Sequence, residues 1–219
     1  TVEGFHQPMR VAGLACGAGD MLQWGRKEQA IDFYDVKGDV EALLAPLQPQ
    51  FEPASHPAMH PGRCARVLLD GRAIGFVGEL HPQWRQSWEL PQVPVLFELE
   101  LDAVLRREVP RFAPVHKHQA VERDLAVVVA EKVTHADIMG AIHAALPATL
   151  LRGAVLFDVY RPKVAKDGSV TGGLALGEKS LAVRLTLGGE ATLTDAEIDA
   201  AVQSVLARLA EQTGAKLRV

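Results

Sequence analysis

Leu156-Phe157-Asp158-Val159-Tyr160-Arg161 alternates apolar with polar side chains at the period of a strand that has one face in a core and one outside it. Lys179-Ser180-Leu181-Ala182-Val183-Arg184-Leu185-Thr186-Leu187 repeats the pattern over a longer span. Two half-buried strands in succession, with helical patterns on either side, decide the fold of this part of the chain.

Outward from these strands, Arg123 to Val129 reads as an earlier strand. Thr134, with Asp137 three residues on, starts a helix whose apolar face is Ile138, Ile142, Ala145 and Leu146, and Pro147 ends it. Downstream, Thr194-Asp195-Ala196-Glu197 is a capping box, and its helix carries Ile198, Val202, Val205, Leu206 and Leu209 until Gly214 stops it. Ala215 to Val219 is the last strand. The order is βαββαβ, the ferredoxin-like arrangement in which two helices cover one face of a four-stranded antiparallel sheet and leave the other open.

The first part of the chain reads as a second antiparallel α+β unit. Met9 to Cys16 is strand-like, ending in the turn-prone Gly17-Ala18-Gly19-Asp20. Ile31 to Tyr34 reads as a strand leading to Asp35, the expected N-cap of a helix with a Val36, Val40, Leu43, Leu44 and Leu47 stripe. Ala65–Leu69 and Arg72–Gly78 flank Asp70-Gly71, a two-residue hairpin signal. A short helix over Pro82 to Trp88, a strand over Val95 to Leu101 and a short helix capped by Asp102 complete it. Residues 108–120 contain Pro110 and Pro114, lack periodicity and mark a change in charge, so they are the expected linker between domains 1–107 and 121–219.

The 219 residues are 48% hydrophobic, enough for two cored domains. No run is apolar for the length of a membrane span, and Thr1 to His6 lacks the layout of a secretory signal, so a cytoplasmic location without membrane attachment is expected. Thr1 in place of an initiator Met leads to the expectation of a processed or excised chain. Two distant cysteines, Cys16 and Cys64, imply no disulfide framework. The net charge of −4 argues against general polyanion binding. It divides unevenly, with −5 over residues 1–110 and +1 over 111–219, so any nucleic-acid contact is expected in the second part.

If Val155, Phe157 and Val159 face the helices, Leu156, Asp158 and Tyr160 face the open side. The same alternation places Ser180, Ala182, Arg184 and Thr186 there, with Lys216 and Arg218 from the last strand. An aromatic ring stacks on an unpaired base, a carboxylate accepts from the edge of guanine, small residues admit the base and cations hold phosphates. A solvated sheet face with an incidental tyrosine is the alternative that the pattern leaves open.

Phe157-Asp158-Val159-Tyr160-Arg161, Gly177 to Ala182 and Thr192 to Ile198 resemble the ferredoxin-fold anticodon-binding domain of the phenylalanyl-tRNA synthetase β-chain family. Trp24-Gly25, Phe33 to Gly38, His60 to Ala65 and Gly75 to Pro82 resemble that family's catalytic-like module, of class II synthetase type, just upstream. The resemblance covers nearly the whole chain in the family's order. It implies the C-terminal part of a longer β chain in an α2β2 ligase that charges phenylalanine tRNA using ATP and Mg²⁺, with the α chain as partner. It also implies that Asp158 and Tyr160 engage the first anticodon base, a guanine, with Ser180 in the matching Lys-Ser-Leu-Ala stretch. One departure stands out: Pro162 opens a long loop with Lys163, Lys166 and Gly172-Gly173, where many relatives have a glycine and a shorter path.

The resemblance implies a non-catalytic first part, and the residues agree. Gly75-Phe76-Val77-Gly78 leads into Glu79-Leu80-His81 rather than into an arginine-bearing helix, and Gly17-Ala18-Gly19 lacks the basic residue of a phosphate loop. No cofactor is therefore expected in this chain. His56, His60 and Cys64 have helical ligand spacing, but Pro57 and Pro61 oppose such a helix, so a proline-rich loop is expected there and no metal site. His116 and His118 are expected to be solvated in the linker. Two other function classes stay open on the residues alone. One is a small-molecule, amino-acid-binding regulatory module on the ferredoxin-like fold, and the other is a metalloenzyme using the His/Cys loop.

Overall fold

The computed structural model describes residues 4–5, 7–107, 109, 112, 117–162 and 173–218. His116 of the expected linker and Lys163, Lys166 and Gly172 of the long loop lie outside them. The chain divides into two compact units, Thr1–Arg111 and Phe112–Val219, each with its own apolar core. The class is α+β with antiparallel sheets.

In the first unit, β1 (Arg10–Ala15), β2 (Gln50–Pro53), β3 (Met59–Leu69), β4 (Arg72–Leu80) and β5 (Val95–Glu100) form one sheet in the order β1-β5-β4-β3-β2. The Asp70-Gly71 hairpin joins β3 to β4 as expected, with both residues at positive φ. Helix α1 (Phe33–Leu44) buries Val36, Val40 and Leu44, one per turn, against this sheet. Its start corrects the sequence reading. Asp32, not Asp35, is the N-cap: Asp32 Oδ1 accepts from the backbone N–H groups of Tyr34 and Asp35, and Asp35 Oδ2 accepts from that of Asp32. This reciprocal cap outweighs the strand propensity of Phe33 and Tyr34, which are helical. The short helices are α2 (Pro82–Ser87) and α3 (Leu101–Leu105), and Glu100 rather than Asp102 precedes α3.

The expected loop around His56 to Cys64 is also corrected. Residues from Met59 onward are strand, and a register shift between Met59 and Cys64 accommodates Pro61 and Gly62. His56 and His60 turn Nδ1 onto nearby backbone, accepting from the N–H groups of Ala58 and Gly62. Cys64 is buried beside Met59, and that burial pushes its thiol pKa up.

In the second unit, β6 (Val121–Ala130), α4 (His135–Ala145), β7 (Leu151–Tyr160), β8 (Glu178–Leu187), α5 (Asp195–Thr213) and β9 (Lys216–Leu217) follow the expected βαββαβ order. The sheet runs β7-β8-β6-β9, each strand antiparallel to its neighbour. Ile138, Ile142, Leu185 and Leu187 are fully buried between helices and sheet, each contributing about 1.5–3 kcal/mol of apolar transfer. Both capping boxes form, Thr134 with Asp137 and Thr194 with Glu197, and Gly214 takes the left-handed conformation that closes α5. Thr194→Ala is expected to cost about 1 kcal/mol in urea unfolding, because α5 loses an N-terminal partner while its buried Ile198, Val205 and Leu209 face is unchanged.

Candidate nucleic-acid interface

Strand β8 sets the two faces of the second sheet. Leu181, Val183, Leu185 and Leu187 are buried in the core, so Ser180, Ala182, Arg184 and Thr186 lie on the opposite face. Directly opposed residues on neighbouring strands share a face. Tyr160 opposes Ser180 and Asp158 opposes Ala182, which puts the expected tyrosine and carboxylate together on the open side.

The preceding residues do not follow the alternation. Val155 opposes Arg184 and Leu156 opposes Val183, with a register shift between Leu156 and Asp158 that leaves Phe157 as the extra residue of a β-bulge. Leu156 therefore packs into the core, whereas Val155 and Phe157 stand exposed. Phe157 reaches the open face, where the Arg184 guanidinium carbon lies 5.5 Å from its ring centroid. The sequence reading had Leu156 outward and Val155 and Phe157 inward, and the bulge reverses all three. The signal in the sequence is the unbroken apolar run Val155-Leu156-Phe157, which strict alternation does not allow.

Arg184 is held rather than extended. Its Nε and Nη2 donate to the two carboxylate oxygens of Asp124 at 2.8 Å each, and its Nη1 lies 3.3 Å from Glu122. Both acids come from β6, which pairs with β8; beginning that strand at Arg123 leaves Glu122 out of it, and Asp124, although inside it, meets Arg184 only through the pairing of the two strands. Two carboxylates around one guanidinium leave this region without excess positive charge. The Arg184 hydrogen bond, then its charge, holds the Asp124 carboxyl below its ordinary 3.8. The stability from this depressed group is present above the unfolded-state pKa and is lost as pH falls through the folded value. In Arg184→Gln, the Asp124 carboxyl titration followed by NMR is expected to move up toward 3.8. An unmoved titration would show that the pair does not persist in solution.

The basic groups concentrate at the β9 edge. Lys216 opposes Val128, and the Arg218 N–H donates to the Ala126 carbonyl. The Arg218 guanidinium carbon lies 5.1 Å from the Tyr160 ring centroid, so a cation from one edge strand meets the ring from the other. Ser180, opposite Tyr160, is only 3% exposed. Arg161, at the end of β7, pairs with Glu131 at 2.9–3.0 Å. A hollow of about 470 Å³ is lined by Val128, Leu174, Glu178, Lys216 and Arg218 among others. The open face thus carries an aromatic ring, an exposed carboxylate at Asp158, a neutralised Arg184 and a basic margin.

The first unit has a cleft of about 600 Å³ lined by Asp32, Phe33, Phe51, Arg63, Cys64 and Glu79 among others. Its arginine is occupied, with Arg63 Nη1 donating to both Glu79 oxygens at 2.7 and 3.0 Å. Gly75 and Gly78 do not cradle a ligand either, since a Cβ on either would run into neighbouring backbone. Arg63 is the one cation among the residues lining this cleft, and Glu79 already pairs it, so the cleft offers a triphosphate no unpaired positive charge from its described lining. Among the described residues, no group of three His, Cys, Asp or Glu side chains is placed to hold a metal ion. No helix among them is long and apolar enough to cross a membrane.

Comparison with known proteins matches each unit separately. Residues 1–101 match the phenylalanyl tRNA synthetase beta chain CLM domain, and residues 116–218 match the ferredoxin-fold anticodon binding domain. The phenylalanine–tRNA ligase beta subunits of Ralstonia nicotianae and Cupriavidus pinatubonensis are each 47% identical over all of this chain and 27% of their own length. That of Aromatoleum aromaticum is 46% identical over 99% of this chain and 26% of its own length. The chain therefore spans about a quarter of the length of these curated relatives.

Proposed function

We propose, from the match of residues 1–101 to the phenylalanyl tRNA synthetase beta chain CLM domain and of residues 116–218 to the ferredoxin-fold anticodon binding domain, that this chain is the anticodon-reading and assembly part of a phenylalanine–tRNA ligase. The intact cytoplasmic enzyme would be α2β2 and attach phenylalanine to its tRNA with ATP and Mg²⁺. The first unit, class II synthetase-like in this reading, would pack against the α chain and leave the chemistry to it. The second unit would recognise the tRNA.

One observation carries the recognition role: Asp158 and Tyr160 share the solvent-facing side of a helix-backed sheet, with small Ala182 opposite the carboxylate. Guanine presents two adjacent N–H donors on its pairing edge, and a carboxylate presents two acceptor oxygens at matching spacing. The Tyr160 ring would stack on the base, and Ser180 would lie beneath the pair. Lys216 and Arg218 would hold the flanking phosphates. Arg184 is better suited to a contact that does not depend on net charge, because Glu122 and Asp124 surround it.

The test is equilibrium binding of phenylalanine tRNA with its first anticodon base as guanine or as adenine. The guanine form is expected to bind more tightly, and Tyr160→Ala is expected to weaken binding by ~1–3 kcal/mol. Lys216→Ala should weaken both forms alike and lower the salt slope by about 1. Equal affinity of the unaltered chain for the two tRNAs would remove the anticodon-reading role.

A further inference from the structure

We infer that Phe157 and Arg184 form a second stacking platform on the open face, one that takes the nucleobase next to the guanine read at Asp158 and Tyr160. This rests on the RNA-binding reading above and extends it by one nucleotide.

The bulge gives the first reason. By adding one residue at Phe157 it turns a phenyl ring out of the core, where Leu156 packs, onto the face that carries Asp158 and Tyr160. The ring is 52% exposed, and bulges commonly serve to re-aim a side chain in this way. Arg184 gives the second. Asp124 accepts from its Nε and Nη2 in a two-pronged pair and Glu122 lies 3.3 Å from its Nη1, so its charge is offset and it is a poor phosphate clamp. A guanidinium fixed in this way keeps its flat faces, and flat guanidinium and aromatic surfaces are what splayed RNA bases stack upon. The position gives the third. Phe157 directly precedes Asp158, and about 10 Å of strand separates it from Tyr160, a distance that neighbouring splayed nucleotides cover. With two carboxylates alongside, the RNA would turn a base toward this region and keep its phosphates at the Lys216 and Arg218 margin.

The experiment measures binding of the full chain to an anticodon stem-loop of phenylalanine tRNA, with the unaltered protein and with Phe157→Ala and Phe157→Leu. Each protein is tested on the intact RNA and on RNAs made abasic on one side of the guanine and then on the other. Both variants are expected to lose roughly 5- to 150-fold on intact RNA. Their salt slope and guanine-to-adenine ratio should stay unchanged, which a phosphate contact or a general packing defect would not produce. On one of the two abasic RNAs the loss should disappear, as a cycle between ring and base requires. A loss of equal size on all three RNAs, or no loss, overturns the platform. Equal binding of guanine and adenine RNAs by the unaltered protein overturns the anticodon reading itself, and is seen before any variant is compared.

Discussion

Gly75→Ala is expected to destabilise the first unit by about 3 kcal/mol or more, the upper end of over-packing costs. A Cβ at this position would sit 2.0 Å from the Glu98 carbonyl oxygen and 2.8 Å from the Leu99 Cα. These are backbone atoms of β5, which is paired with β4 on one side and β1 on the other, so relief requires the middle of the sheet to give way. Gly38→Ala is the matched control. It lies within α1 with nothing within 4 Å of the added carbon, and should stabilise by roughly 0.5–1 kcal/mol. Hydrogen exchange resolved by residue separates the outcomes: Gly75→Ala should lower protection across β3, β4 and β5 and leave β6 to β9 as they were. Unchanged protection in β4 and β5 would refute the close approach.

Asp158→Asn is expected to change which base is preferred. The carboxylate offers two acceptors, matching the two donors on the guanine edge, whereas an amide offers one acceptor and one donor. Adenine presents one donor beside one acceptor, so the amide suits adenine. Affinity for the guanine tRNA should fall by ~1–3 kcal/mol while that for the adenine form holds or rises, bringing the ratio to one or inverting it. The measurement is the ratio of the two dissociation constants at fixed salt, since backbone contacts cancel in it. A ratio that survives the substitution would exclude Asp158 as the reader.

Much of the fold was legible because it is written in local chemistry. The Thr134 and Thr194 boxes, the Gly214 stop and the Asp70-Gly71 hairpin each need only residues a few positions apart. The misreadings have physical causes of two kinds. At Asp32 two local signals competed, and two aromatic strand formers drew the reading away from the cap that prevails. Strand β2 was missed because four residues, Gln50 to Pro53, become a strand only by pairing with β3.

The candidate site divides in the same way. Asp158 and Tyr160 were readable from the alternation with Ser180 and Ala182, and pairing with β8 puts them on the open face. The neighbourhood was not readable from alternation. A bulge is defined by the partner strand, which shows only in three dimensions that Leu156 and Asp158 oppose adjacent residues, Val183 and Ala182. Arg184 looked like a cation for phosphate until β6 brought Asp124 and Glu122, sixty or more residues away in sequence, against it. By itself, then, the sequence determined the element order of the second unit, its two capping boxes and the type of chemistry on the open strand, because hydrogen bonding and burial period act within a few residues. Only the tertiary structure decided where Phe157 points and whether Arg184 carries usable charge, because strand register and electrostatic neutralisation depend on residues that meet across the sheet.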